Sequence, residues 1–339
     1  MSEIIRHYTE EFRRGSSLLA SDAEALLDSM VASADEPLLT ALFISWDQKG
    51  IREDEIFSLA TIMRSRSVKV HSKHTNAVDI VGTGGSKAKT FNVSTAAAFV
   101  AAGGGVPIAK HGNRAATSNS GSSDVLDELG IGISTPEMAE RSLNGADICF
   151  MFAPNHHLLS STLAKVRREL GFPTIFNCIG PLCNPAQASR QLIGVWDEAM
   201  LPIMANLLLR LGTERSWIVH GTDGLDEISI SSSTNVAEVT AESVSFFDIS
   251  PRDFSLPESS IEEFRTTSAA QSSSVIKNIL ANELQNSPAE HLVLINSMAA
   301  FYLAGHAGEF SDALSCALQS IRTGSALRKM IELREFAST

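Results

Sequence analysis

Hydrophobic positions in the first sixty-odd residues recur at helical spacing. Ala23, Leu26, Leu27, Met30 and Val31 form one apolar stripe, preceded by Ser21-x-x-Glu24, a capping box in which hydroxyl and carboxylate satisfy the free N–H groups of a helix start. Pro37 suits a first helical position, where its missing N–H costs nothing, and it precedes Leu38, Leu39, Leu42, Phe43 and Trp46. Gly50 separates that segment from Ile56, Leu59, Ala60 and Met63. The pattern predicts a small module made of helices alone.

The period changes at Ala77-Val-Asp-Ile-Val81, a short β-type run that ends in glycines. Further strands are expected at 106–109, 148–152, 192–196, 217–220 and 244–249, with helices at 124–129 and 199–211 among them. Strands alternating with helices indicate an α/β sheet. From about Ser274 helices return, at 292–303, 312–321 and 326–333, while the Ser-rich stretches 229–233 and 255–274 read as loops. No internal repeat or low-complexity tract interrupts the pattern.

Composition narrows the function classes. With 339 residues, 44% of them hydrophobic, the chain can bury a sizeable core, and its length favours two domains or one domain with a lobe. A formal charge of −12 repels a polyanionic backbone over most of the surface, so a nucleic-acid role would need a local basic patch, and the chain has no strong linear one. Cys149, Cys178, Cys183 and Cys316 form no CxxC pair and lie near no zinc-type His cluster, so buried reduced thiols are expected rather than a metal knuckle or disulfide framework. The N-terminus has no apolar leader, and the longest apolar stretch, 95–109, is broken by glycines and Pro107; a cytoplasmic protein without membrane spans is expected.

The chemistry concentrates in two glycine-rich turns, Asp79-Ile-Val-Gly-Thr-Gly-Gly85 and Ala109-Lys-His-Gly-Asn-Arg114, with Asn92-Val-Ser-Thr95 between them. Glycine lets a backbone approach an anion and turn its N–H groups inward, and a helix opening after the turn adds its positive end. Two such turns imply a polyphosphorylated ligand. Lys87, Lys89, Lys110 and Arg114 sit at these turns, and the residues alone divide Lys110 and Arg114 evenly between phosphate contacts and surface charges. A P-loop is excluded because Gly82-Thr-Gly-Gly-Ser-Lys87 lacks the second glycine before a lysine and hydroxyl. A dinucleotide fingerprint fails twice: Lys87 occupies the third glycine position, and no acid follows at the ribose-binding distance.

The ordered motifs resemble the anthranilate phosphoribosyltransferase family over nearly the whole chain. They are Gly82-Thr-Gly-Gly85, Asn92-Val-Ser-Thr95, Lys110-His-Gly-Asn-Arg114, Ser120-Gly-Ser122 with Asp124, Phe152-Ala-Pro154 before His157, Val166-Arg167, Phe176-Asn-x-x-Gly-Pro-Leu182 with Asn184-Pro185, and Asp226-Glu227. The resemblance implies a phosphoribosyl pyrophosphate donor held by Gly82, Gly84, Gly85, Ser86, Thr90, Asn92, Ser94, Thr95, Lys110, Asn113 and Ser122. It implies an anthranilate acceptor beside Gly82, Asn113, His157, Arg167, Gly180 and Pro181, and Mg2+ on Ser94, Asp226 and Glu227. Adjacent carboxylates suit a hard cation that bridges to phosphates, and the planar fork of arginine suits a benzoate carboxylate. Without the resemblance, Asp226-Glu227 reads as a solvated acidic turn, Arg167 as an exposed helix charge and His157 as a loop histidine.

The implied architecture is an α/β fold with a small all-helical domain, residues 1–70 with roughly 157–185 packing on it. A larger α/β domain, residues 71–156 and 186–339, holds a central mixed sheet flanked by helices, and a homodimer through the helical lobe is expected. The chain departs from the family pattern at Ser86, where an acid is usual, at Leu158-Leu159 for Pro-Ala, at Pro173 for arginine, and at Thr266-Thr267 for a glycine pair; the last is expected to affect only a connection. Three rival readings are another aminobenzoate acceptor, a pyrimidine nucleoside phosphorylase, and a nucleic-acid-binding relative of the same fold. The phosphorylase would need neither the Asp226-Glu227 pair nor Val166-Arg167, and the nucleic-acid binder would need a basic groove.

Overall fold

A computed structural model describes residues 2–86, 88, 90–114 and 121–337. Lys87, Lys89 and Ser120 therefore lie outside the described residues. Four helices open the chain: α1 (Ser2–Arg13), α2 (Ala23–Ala32), α3 (Glu36–Lys49) and α4 (Glu53–Arg66). In α1 the buried residues Ile5, Tyr8, Thr9 and Phe12 fall on one stripe, the spacing that turns an apolar face to a neighbour. Glu55 of α4 ties α3 and the segment after α1 together: its buried carboxylate accepts from the Leu18 N–H at 2.8 Å, Trp46 Nε1 at 2.9 Å and Lys49 Nζ at 2.8 Å.

Two details of these helix starts differ from the sequence reading. Helix α2 begins at Ala23, with Asp22 rather than Ser21 before it, because the Asp22 carboxylate accepts the Tyr8 hydroxyl at 2.6 Å and Ser21 only bonds Asp22. Pro37 stands second in α3, after Glu36, and Asp35 caps the helix by accepting the Leu38 N–H at 3.0 Å.

The sheet comprises β1 (Val78–Gly82), β2 (Ile108–Gly112), β3 (Ile148–Phe152), β4 (Arg190–Gly194), β5 (Arg215–Gly221), β6 (Thr234–Thr240) and β7 (Val244–Ile249). Their order is β3-β2-β1-β4-β5-β6-β7, parallel from β3 to β5 and antiparallel beyond. After β1 the chain moves outward on one side through β2 and β3, then returns to place β4 on the other side of β1. That switch point, at the carboxyl ends of β1 and β4, is where open α/β sheets bind ligands. The register pairs Gly82 with Gly194, so both strands end in glycine at the same level.

Intervening and terminal helices cover both faces. They are α5 (Val93–Gly103), α6 (Ser122–Glu128), α7 (Pro136–Ala146), α8 (Ala153–His156), α9 (Ser161–Leu170), α10 (Ile175–Leu182), α11 (Met200–Arg210), α12 (Ala269–Leu280), α13 (Pro288–Leu303), α14 (Phe310–Arg322) and α15 (Ser325–Ala337). Leu192, Trp217 and Val219 point into one core with α5 and α12 to α15, whereas Ile193 and Ile218 point into a second core with α1 to α4 and α9 to α11. Phe43 meets Phe176 edge-on at 6.1 Å, joining α3 to α10.

The expected mixed sheet flanked by helices is present, but β6 was not anticipated. Its polar residues Asn235, Glu238 and Thr240 break up the apolar pattern just after the serine-rich stretch 229–233; Glu238 is satisfied by Arg215 Nε at 2.9 Å. The stretch 255–274 is not loop throughout either. Helix α12 starts at Ala269, capped by Ser268, and its small buried residues Ser272 and Ser273 allow close packing. Three of the four free cysteines are buried, and Cys316 is half-buried. Among the described residues no helix is long and apolar enough to cross a membrane.

Candidate active site

A cavity of about 310 Å³ opens at the switch point, between the carboxyl ends of the strands and the helical layer. Its first wall is the turn after β1. Gly84 and Gly85 take φ of +65° and +89°, a left-handed backbone that side chains rarely adopt, and a Cβ on Gly85 would lie 2.8 Å from Pro173 Cγ. The turn leads to α5, where Asn92 Oδ1 accepts the Thr95 N–H at 3.1 Å and the Asn92 N–H donates to Ser272 Oγ at 2.8 Å. Asn92 and Ser94 thus face the cavity at a helix N-terminus. Thr95, expected beside them, does not line the cavity: its side chain is buried and Oγ1 has no partner.

Lys110 enters from β2, with its ammonium donating to the Ile80 carbonyl and to Ser94 Oγ at 3.1 Å. Burial pushes it down to about 8, against the opposing pull of Asp79 and Glu227. Beyond it, Gly112, Asn113 and Ser122 form the second turn; a Cβ on Gly112 would overlap the Ser122 hydroxyl. Asn113 Oδ1 accepts the Arg114 N–H at 2.8 Å. Arg114 also reaches the cavity wall, but its guanidinium is paired with Asp124 at 2.7 Å and Asp127 at 2.9 Å.

Asp226 and Glu227 come from the loop after β5. That loop can reach the switch point because the two strand ends are glycines: a Cβ on Gly82 would lie 3.1 Å from Asp226 Oδ2, and one on Gly194 would overlap the Asp226 carbonyl. Gly194 was not singled out in the sequence, where it falls inside the strand expected at 192–196; in the structure that strand ends on it. Glu227 Oε2 accepts from Thr90 Oγ1 at 3.4 Å, and Thr90 is held in turn by Thr266, whose hydroxyl donates to the Thr90 carbonyl at 3.2 Å. Thr266 therefore reaches the site through Thr90, without lining the cavity itself.

Burial raises both acids, and for Glu227 the neighbouring Asp226 adds to it, leaving its carboxyl well above the ordinary range. Two desolvated carboxylates, a serine hydroxyl and one lysine leave an excess of hard anionic oxygen that a divalent cation would neutralise. Among the described residues no cluster of three His, Cys, Asp or Glu could hold a metal by itself. The donor set fits an ion that shares its coordination with water or substrate oxygens, as Mg2+ does.

The far wall is apolar and cationic. Arg167, on α9, stacks over the Phe176 ring at 5.0 Å; its Nε is buried without a partner, and no carboxylate pairs with it among the described residues. Desolvation alone pushes it down to about 10. Gly180 and Pro181 of α10 line the cavity, and the Gly180 carbonyl lies 3.2 Å from His111 Nδ1, which must donate there. His157 meets His111 edge-on at 5.2 Å, and burial lowers it to about 4 and His111 well below 6.5, so both rings are neutral. Among the described residues their Nε2 atoms have no partner. Leu159 joins this wall whereas Leu158 is 81% exposed, so only one residue of that departure bears on the cavity.

The fold and this site define a glycosyltransferase of the class described as glycosyl transferase family, a/b domain, whose model matches residues 74–327. The chain belongs to the anthranilate phosphoribosyltransferase family. It is 46% identical over 288 residues to that enzyme of Methylobacillus flagellatus, covering 84% of each chain. It is 39% identical over 327 residues to the enzyme of Rhodopseudomonas palustris, covering 96% of each. Among solved structures, anthranilate phosphoribosyltransferase of Thermus thermophilus superposes with a TM-score of 0.87 at 30% identity, covering 98% of this chain and 99% of that one. The Saccharomyces cerevisiae enzyme in complex with PRPP and Mg gives 0.89 at 27% identity, covering 99% and 98%.

Proposed function

We propose that the protein transfers the phosphoribosyl group of phosphoribosyl pyrophosphate to the amine of anthranilate, releasing pyrophosphate, in tryptophan biosynthesis. The observation that carries this reading is the polarity of one cavity. Glycine turns, a helix N-terminus and Lys110 occupy one end, and an unpaired guanidinium against an aromatic wall occupies the other. A polyanion and a benzoate carboxylate suit these ends separately.

In this reaction the amine lone pair forms a bond to C1 of the ribose as the C1–O bond to pyrophosphate breaks, through an oxocarbenium-like centre. Arg167 would fix the acceptor by its carboxylate, and the Pro181 side would hold its ring. The turn at Gly82, Gly84 and Gly85, together with Asn92, Asn113 and Ser122, would fix the donor. Positioning of this kind can contribute roughly 7–11 kcal/mol. Ser94, Asp226 and Glu227 would hold Mg2+, which when bound supplies positive charge at the leaving pyrophosphate. No covalent nucleophile is required, and Cys183 in the wall is unsuited to be one because burial pushes its thiol up to about 12.

We also read the protein as a cytoplasmic homodimer whose helical lobe comprises residues 1–70 with roughly 157–185. The exposed Leu19 and Ile44 on that lobe support the dimer alone, and sedimentation would test that part. For the reaction, anthranilate fluorescence is followed after mixing with phosphoribosyl pyrophosphate, with and without Mg2+. A Mg2+-dependent decay is expected. No decay, with the donor still raising the melting temperature, would move the acceptor to another aminobenzoate; absence of donor binding would overturn the reading.

A further inference from the structure

One side chain joins the two ends of the cavity. Asn177 lies in the first turn of α10 and makes two hydrogen bonds of opposite sense. Its Oδ1 accepts the Thr174 N–H at 2.9 Å, closing the start of the helix, and its Nδ2 donates to the Thr83 carbonyl at 2.9 Å, in the glycine turn after β1. An N–H on one side and a carbonyl on the other permit only one orientation of the amide. Thr83 is itself fixed to the sheet, its N–H donating to the Gly194 carbonyl at 2.9 Å.

The other end of α10 is tied down separately. The Gly180 carbonyl receives His111 Nδ1, and the Pro181 carbonyl accepts Gln191 Nε2 at 2.8 Å. Helix α10 carries Phe176, on which Arg167 stacks, together with Gly180 and Pro181 of the same wall, while Thr83 belongs to the turn that would receive the donor. Among these ties only the Asn177 amide runs from α10 to the glycine turn itself. Pro173, just before the helix, meets Gly85 by contact alone.

We infer that Asn177 is a positioning residue for the transfer, setting the distance between the acceptor wall and the donor turn through the Thr83 carbonyl. It rests on the reading given under Proposed function. The side chain need not touch either substrate. Its effect is on the approach of nitrogen to C1, where a misplacement of about 1 Å can lower a rate about a hundredfold.

Asn177→Asp separates this role from a merely structural one. It replaces NH2 by oxygen, so the Thr174 N–H keeps its acceptor and the helix gains a charge favoured in its first turn, while the bond to Thr83 is replaced by repulsion between two oxygens. The wild-type protein is assayed beside it; if it fails to consume anthranilate with phosphoribosyl pyrophosphate and Mg2+, the functional reading fails and not this one. With wild type active, the single-turnover rate at saturating donor and acceptor should fall about tenfold or more in the variant, with substrate dissociation constants within about threefold of wild type.

Asn177→Ala, which removes the cap as well, should show the same rate loss with a lower melting temperature. If the Asp variant unfolds, the Ala variant assayed on its folded fraction carries the test. A single-turnover rate within fivefold of wild type, or a loss explained wholly by weaker binding of one substrate, would overturn the proposal.

Discussion

The Ser86 hydroxyl lies 2.8 Å from the carbonyl oxygen of Gly224 and 3.0 Å from that of Ala88. It fastens the glycine turn to the loop that carries Asp226 and Glu227, in a place where the family pattern has an acid. Ser86→Ala should lower stability by about 1 kcal/mol, one hydrogen bond, and raise the donor KM several-fold because two phosphate-facing segments lose their tie. Denaturant unfolding and donor titrations check this. An unchanged donor KM at reduced stability would make the contact structural only.

Among the described residues no carboxylate neutralises Arg167. Arg167→Ala should therefore cost little stability while raising the acceptor KM by about 2–3 kcal/mol, roughly 30-fold to 150-fold, and leaving the donor KM within about twofold. Arg167→Lys should recover part of the loss, since a point charge replaces a two-pronged one. Equal losses for both substrates would contradict the assignment of this end of the cavity to the acceptor.

The desolvated pair Asp226 and Glu227 gives a prediction of opposite sign for folding and for metal use. Glu227→Gln removes a repelling charge, so without metal the variant should melt no lower than wild type. Its half-saturating Mg2+ concentration should rise about tenfold or more. Melts in chelator and Mg2+ titrations of turnover decide; a variant that unfolds early yet needs no extra Mg2+ would show that the pair is structural.

Asp79 is fully buried, accepting the His111 N–H at 3.0 Å and Asn184 Nδ2 at 2.8 Å. Burial raises it from 3.8 to about 6. Between those values the folded chain keeps a proton that the unfolded chain has lost, so this group makes stability fall as pH rises through that window, by about 3 kcal/mol at most. Asp79→Asn lacks that fall. Urea unfolding at about pH 4 and pH 6.5 should show the variant gaining on wild type at the higher pH; a gap that ignores pH would sink the argument.

Much of the frame was legible because periodicity reports burial directly. The helical stripe of α3 and the short run of β1 each face a core, and their apolar spacing follows from that. What was not legible depends on contacts made far along the chain. Ser21 and Glu24 have the spacing of a capping box, yet Asp22 takes the position because Tyr8 reaches it from another helix. Strand β6 is hard to see because its polar Glu238 finds Arg215 only in the folded sheet.

The site divides in the same way. Glycine turns announce themselves, since a left-handed backbone narrows the choice of residue, as at Gly84 and Gly85. Thr95 belongs to a motif by spacing but turns away, because its N–H is used by Asn92 and its side chain packs inward. Asn177 and Gly194 carry no local signal of what they do: one is an ordinary amide in a helix, the other a glycine at a strand end. Their roles appear only when Thr83 and Asp226 are brought beside them.

The switch point at β1 and β4 also bears on the order in which the polypeptide is made. Ser86 and Gly224 are 138 residues apart in the chain, so a ribosome that has released the first glycine turn must add most of the sheet before the acidic loop can meet it. A nascent chain carries the glycine turn early and acquires its counterpart late. Newly made protein thus remains unable to join the two segments until the loop after strand β5 has emerged and docked, and a truncated product ending before that strand would retain the turn without the carboxylates.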